Sequence, residues 1–524
     1  VKILHNARIH TLDKSQSLAS AVVVDCGSIL AVGGQDLLGD FSGAMREDLE
    51  GRVVLPGLID AHLHLKEYAL SLRRIDCENA SLQSCLARVE HKCSQMDAGQ
   101  WVLGHGWNQN VWERWPTANE LDRVSPQNPV FLTAKSLHAA WVNTAALALC
   151  GIRADTPNPK DGEILRGSDG KPTGVLLEAA QSLAASHVPE PTVGELADGI
   201  AEAQAALWGF GLTAVHDFDR RDCFMALQRM HADGRLRLRV TKCIPLDLLD
   251  QAHDLGLGTG FGDEWLHIGA VKVFMDGALG PRTAAMISPY DQEPGNVGIL
   301  NLGGEELYEL GRKAAHVGLG MAVHAIGDRA NREALQAFRQ LRAYESERGM
   351  AHLRHRIEHV QLLHPSDERE LGRLDVIASM QPVHATSDML MADRYWGQRA
   401  SLAYAWQSQL RAGARLAFGS DAPVESPNPF LGIHAAVTRQ RADGFPAPEG
   451  WHPEQRISVQ EAVEAYTSGP AYAAYTEDRQ GTLASGRFAD LIVLERDPFT
   501  CDPAELKALR PSATMIDGEW VLRR

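Results

Sequence analysis

The chain has 524 residues, and 51 basic against 67 acidic side chains give a formal net charge of −16. A surface of that sign disfavours nucleic acid and anionic membranes as partners, because both select basic surfaces. With 44% hydrophobic and 23% charged residues the composition is that of a folded globular protein, and no run of about 18 apolar residues is present to cross a membrane.

The opening segment, Val1-Lys-Ile-Leu-His, is strand-like from the start and lacks the basic-then-apolar layout of a secretion signal. Cys26, Cys77, Cys85, Cys93, Cys150, Cys223, Cys243 and Cys501 show no Cys-x-x-Cys spacing. They read as mostly buried free thiols in a reducing compartment, so a cytoplasmic location is expected. Ala21–Val24 and Ile29–Val32 are apolar, strand-like runs on either side of a Cys26-Gly27-Ser28 turn. The far end reads the same way: Leu491–Leu494 is a strand, and Thr514–Ile516 and Trp520–Leu522 flank an Asp517-Gly518 hairpin turn. Residues 1–56 and 475–524 are therefore expected to form one small β-sandwich domain from both termini.

Between them, residues 57–474 alternate. Short apolar runs (Ile59–Ala61, Leu212–Val215, Leu238–Ile244, Ile268–Phe274, Met321–Val323, Arg356–Ile357, Val376–Ala378 and Leu416–Phe418) are separated by helical stretches such as Glu305–His316 and Ala330–Glu345. This predicts an α/β fold, a (β/α)8 TIM barrel. One interval is too long for a single crossover. Residues 66–211 contain further apolar runs, Trp101–Leu103 and Val130–Thr133, and hold Trp101, Trp107, Trp112, Trp115 and Trp141. They are expected to carry an inserted, lid-like subdomain over the barrel mouth; the alternative is an insertion on the barrel's side with core tryptophans.

The chemistry starts at Asp60-Ala-His62-Leu-His64. Residues i and i+2 of a strand project to one side, so His62 and His64 can act as paired metal ligands at a strand end. Asp60 points the same way and is a candidate partner for an imidazole. His324, His359 and Asp421 each follow an apolar or alternating run and precede a loop. In a barrel these ends share one face, and so many polar groups buried together are best explained by a cation. Lys272 lies in the otherwise apolar Gly269-Ala-Val-Lys272-Val-Phe. A buried ammonium needs either an ion pair, with Asp276 as candidate, or carboxylation to a carbamate that bridges two cations.

This pattern of His62, His64, Lys272, His324, His359 and Asp421 resembles the amidohydrolase superfamily over nearly the whole chain. Gly106-Trp-Asn, the Leu121-Asp122 segment to Pro129-Val130, His138 with Asn143, Gly174–Glu178, Met275–Ala284 and His324–Asn331 resemble amidohydrolase family 3, which includes N-substituted formamide deformylases. The closing stretch from Gly481 through Asp490 to Val493 is similar to that superfamily's return strand. The resemblance implies that His62 and His64 bind the more buried of one or two divalent ions, with zinc the expected metal. It implies that Lys272 bridges as a carbamate, that His324 and His359 hold the second ion, and that Asp421 touches metal and moves the proton.

Such a site makes hydroxide from bound water, whose pKa falls from 15.7 to about 7, and hydrolyses a non-peptide carbon–nitrogen bond of a small molecule. His138 is a candidate oxyanion donor, Arg282 a reader of acidic groups, and Trp107 with Trp112 an apolar wall, while His384 is a further pocket residue. For Arg282 a plain loop charge, and for the tryptophans a core position, are the competing readings. The alternatives are a deaminase or lactone hydrolase on the same scaffold, or a non-catalytic regulatory protein that keeps the barrel. A homodimer is the base-rate expectation.

Overall fold

The computed structural model describes residues 1–78, 80–134, 139–160 and 162–524. Each apolar run of the middle segment is a strand: β1 Leu58–Leu63, β2 Leu212–Asp217, β3 Arg239–Pro245, β4 Leu266–Phe274, β5 Met321–Ala325, β6 Arg356–His359, β7 Ile377–Met380 and β8 Leu416–Phe418. They pair in parallel in chain order as one eight-stranded sheet. Helices such as Gly304–His316 and Asp328–Glu347 separate them. β1, β2 and β6 are buried at every position, which explains why they read as runs rather than alternations.

The sheet closes at its carboxyl rim. Asp421 N donates to His62 O at 2.7 Å and His64 N donates to Ala422 O at 2.8 Å. Gly419 permits this approach, because a Cβ there would lie 2.5 Å from His62 N and 2.7 Å from an Asp60 carboxylate oxygen. The result is a TIM-barrel-like fold.

The two ends of the chain share a second, mixed sheet. Its order is Glu519–Arg523, Ala513–Ile516, Leu491–Leu494, Val53–Pro56, Lys2–His10, Leu18–Asp25 and Ser28–Gly33, with Met45–Asp48 also pairing to Lys2–His10. Val22, Val24, Val54, Leu491, Val493 and Met515 belong to its core. Asp517 and Gly518 both have positive φ, as the predicted two-residue hairpin turn requires.

One buried ion pair ties β3 to this sheet. Arg239 donates through Nε (2.7 Å) and Nη2 (3.1 Å) to the carboxylate of Asp490, and its guanidinium lies 3.6 Å from the Phe488 ring centroid. Methionine at 239 would fill much of the volume but leave Asp490 buried without a counter-charge. Arg239→Met is therefore expected to lower stability by about 3–5 kcal/mol, read from a denaturant midpoint.

Residues Ala69–Gly199 form a separate compact unit. Its six-stranded sheet runs Gly162–Arg166, Pro172–Glu178, Ala139–Val142, Val130–Ala134, Val102–Trp107 and Ile75–Asp76. Trp107 and Trp141 sit in its core.

The cysteines are all free, but fewer are buried than expected. Cys77, Cys85, Cys223 and Cys243 are buried, Cys93, Cys150 and Cys501 are half-buried, and Cys26 is exposed. Among the described residues no helix is long and apolar enough to cross a membrane.

His434 is buried in the helix Pro429–Thr438, where burial, followed by the Lys507 charge, lowers it to about 4. An unfolded chain takes up that proton at about 6.5. Stability present above that pH is therefore lost as pH falls toward 4. His434→Gln is expected to flatten the fall in Tm between pH 7 and pH 5 relative to the parent, as scanning calorimetry at both pH values would show.

Candidate metal centre

β1 delivers Asp60, His62 and His64 to the rim, and the other strand ends surround them. The Asp60 expectation is corrected: its carboxylate does not meet an imidazole. It accepts from the backbone N of His62 and of Ser420, both at 3.0 Å, and from Ser420 Oγ at 2.5 Å. Asp60 thus stitches β1 to the loop after β8, and burial pushes its carboxyl up to about 7.

The histidines have other partners. His62 Nδ1 lies 2.6 Å from Glu358 Oε2, His64 Nδ1 3.1 Å from Asp219 Oδ1, and His359 Nδ1 2.8 Å from Gln381 Oε1. His324 Nε2 lies 3.0 Å from Gly277 O. These oxygens accept, so the facing ring nitrogen donates, and in His62, His324 and His359, whose rings burial keeps neutral, the opposite nitrogen keeps a lone pair. An imidazole oriented in this way is the usual form of a metal ligand. The rings cluster: His62 and His359 centroids are 5.0 Å apart, His324 and His359 4.5 Å, and His62 and His64 5.8 Å.

Asp421 sits among them, its Oδ1 3.4 Å from His64 Nε2 and 3.6 Å from His62 Nε2. Ligand atoms of His62, His359 and Asp421 lie within 4.8 Å of one another, close enough to hold one ion. His359 and Asp421 both have positive φ, 75° and 59°. Backbone strain of this kind is held in place only where the surrounding structure dictates it.

Electrostatics agree with a cation site. Burial, then the Lys272 charge, lowers His62 to about 4 and His324 to about 3, so both rings are neutral. Burial opposes a proton on His64 as well, but hydrogen bonds to Asp219 and Asp421 outweigh it and raise His64 to about 10. A cation would take that proton's place. Burial would raise Asp421, yet His64, His62, His359 and His384 hold its carboxyl well below the usual range.

Lys272 Nζ lies 4.7 Å from the Phe218 ring centroid and 4.8 Å from that of Phe274. The ion pair with Asp276 does not form. Asp276 instead accepts from the backbone N of Ala285, Ile326 and Gly327. Phe218 in turn stacks on His62, with centroids 4.0 Å apart.

The remaining candidates divide. His384 is buried beside the centre, Nε2 3.9 Å from Asp421 Oδ2. Arg282 Nε lies 2.6 Å from Glu293 Oε1, so its charge is met within the protein. Trp107 is fully buried and donates from Nε1 to Leu132 O at 2.7 Å. The structure makes it a core residue of the insertion rather than an open wall. Trp112 is half-buried and donates to Ala80 O at 2.9 Å. His138 lies outside the described residues.

Several functional neighbours went unseen in the sequence. Glu358 is fully buried and accepts from Arg356 Nε (2.5 Å), Arg356 Nη2 (3.1 Å) and Ser379 Oγ (2.6 Å) as well as His62. Burial would raise it, but the Arg356 charge and His62 keep it well below the usual range. Behind His64, Asp217 pairs with Lys242 Nζ at 2.6 Å, and Lys242 also donates to the Asp219 carbonyl. Charged residues two apart, Arg356-Ile-Glu358 inside β6 and Asp217-Phe-Asp219 at the end of β2, were the available signal.

A parallel barrel with imidazoles and an aspartate gathered at its carboxyl rim defines a metal-dependent hydrolase. Residues 47–522 match the model of the amidohydrolase family, and the chain belongs to that family. It is 33% identical over 540 residues to the putative amidohydrolase YtcJ of Bacillus subtilis, covering 100% of this chain and 99% of that protein. It is 30% identical over 536 residues to the N-substituted formamide deformylase of Arthrobacter pascens, covering 98% and 96%. An uncharacterized metal-dependent hydrolase from Pyrococcus furiosus has a similar crystal structure, with TM-score 0.80 and 31% identity over 95% of this chain and 100% of that one.

Proposed function

We propose that the chain cleaves a carbon–nitrogen bond, other than a peptide bond, in a small amide, formamide or cyclic amide. The observation that carries this reading is the imidazole arrangement. His62, His324 and His359 each spend one ring nitrogen on an oxygen acceptor and stay neutral, which leaves the other nitrogen a lone pair, while His64 spends Nδ1 on Asp219 and turns Nε2 to Asp421. Nitrogen and oxygen donors of this kind fit a divalent ion, with zinc the best match. Lys272, carboxylated on Nζ, would add oxygen donors to the set.

When bound, the cation supplies an acidified water and polarises the carbonyl to be attacked. Asp421, ionised and facing His62 and His64, accepts the proton of the attacking water and returns it to the leaving nitrogen. Glu358, Asp219 and Gln381 hold the rings so that this geometry is in place before the substrate arrives.

A panel of N-formyl amines, N-acyl amino acids and cyclic ureas, run beside aminopurines, esters and lactones, tests the reading. Turnover is expected in the amide arm, abolished by a chelator and restored by zinc. Turnover of an aminopurine or ester alone would overturn the choice of bond, and activity indifferent to chelation would overturn the metal.

A further inference from the structure

His384 occupies the first turn of the helix Pro382–Trp396, immediately after β7. It is 6% exposed, and neither Nδ1 nor Nε2 has a hydrogen-bond partner. Buried histidines elsewhere in the barrel are served. His216 meets Arg356 Nη1 at 2.8 Å, His267 meets Thr241 Oγ1 at 3.1 Å, and His355 meets Glu345 Oε1 at 2.8 Å. A buried polar ring left without partners is costly, so something outside the protein's own groups is expected to complete it.

Its position says what that is. The His384 ring lies nearly parallel to His359, 15° between planes and 6.1 Å between centroids. Its Nε2 is 3.9 Å from Asp421 Oδ2, too far for a hydrogen bond but on the same side of the centre as the group that handles the proton. Asp388, one turn along the same helix, is engaged by the Tyr404 hydroxyl at 2.6 Å.

We propose that His384 is a substrate-contacting residue. It donates a hydrogen bond to the carbonyl oxygen of the bond being cleaved, and to a carboxylate oxygen of the acid product. This rests on the hydrolytic reading of the centre and adds the group that orients the acyl end against Asp421. A donor aimed at an oxygen that gains charge during attack contributes more in the transition state than in the bound substrate.

The experiment uses the zinc-loaded full chain and two variants. His384→Phe keeps a ring but removes both nitrogens, and His384→Gln restores one donor. Acetate is the binding probe, followed by calorimetry. In His384→Phe acetate affinity is expected to fall about tenfold or more, with zinc content per chain unchanged and Tm unchanged or raised, since an unserved polar ring has been removed. His384→Gln is expected to recover part of the affinity. On whichever substrate the panel identifies, His384→Phe should lower kcat more than it raises KM.

Unchanged acetate affinity in His384→Phe would overturn the proposal. So would a loss of zinc, which would make His384 a metal ligand, or a Tm lowered by several degrees, which would make it structural. The acetate, zinc and melting measurements do not depend on which bond is cleaved. Failure to turn over any amide would therefore count against the proposed function without touching this inference.

Discussion

Asp421→Asn is expected to fold, to retain much of its metal, and to lose turnover by roughly 10²–10⁴-fold. Asparagine is nearly the same shape and is among the few residues that accept a left-handed backbone, so the φ of 59° at this position is kept. The seam bond from its backbone N to His62 O is also untouched. What disappears is a carboxylate that sits 3.4 Å from His64 Nε2 and 3.6 Å from His62 Nε2 and can carry a proton from water to leaving group. Circular dichroism, metal analysis and steady-state kinetics separate these effects. A variant as active as the parent would remove Asp421 from the proton path.

Glu358→Gln is the second large effect, and it falls on stability and metal together. Glu358 accepts from four donor atoms: His62 Nδ1, Arg356 Nε, Arg356 Nη2 and Ser379 Oγ. An amide offers one accepting oxygen and turns an NH2 toward a donor. Arg356, 2% exposed, then holds a charge with no opposite partner beside it. Removing one member of a buried pair costs about 3–5 kcal/mol. Losing the acceptor that orients His62 is expected to weaken metal binding about 10–100-fold. Denaturant titration and a competition titration against a chromogenic chelator read the two losses. Parent-like values in both would show that Glu358 does not brace His62.

The contrast between Glu358 and His62 shows what the sequence disclosed. The barrel strands were legible because burial on both faces leaves uninterrupted apolar runs, and a histidine or aspartate at the end of such a run stands out. Lys272 stood out for the same reason, as a charge inside Gly269–Phe274. Partners were not legible, because they depend on register between strands. His324 faces Glu358 across β5 and β6, and Glu358 faces Ser379 across β6 and β7. Nothing in the spacing of Arg356-Ile-Glu358 tells which imidazole it will meet. Asp60 was misjudged similarly: alternation gave its side of the strand, but the closing of the barrel gave it Ser420. Trp107 was ambiguous because tryptophan serves cores, the commoner case, as well as pockets, and its full burial and its bond to Leu132 O decide for the core.

The barrel seam has a consequence for synthesis. The carboxylate of Asp60 meets Ser420, 360 positions later in the chain, and His62 and Asp421 are joined through their backbones at the same place. A nascent polypeptide that has emerged only through β7 carries His62, His64, His324 and His359 but cannot bring them into their final frame. The ion site is therefore born with the docking of the last strand. A ribosome therefore offers a metal ion no finished trap until the eighth barrel strand, Leu416–Phe418, and Asp421 after it have been translated.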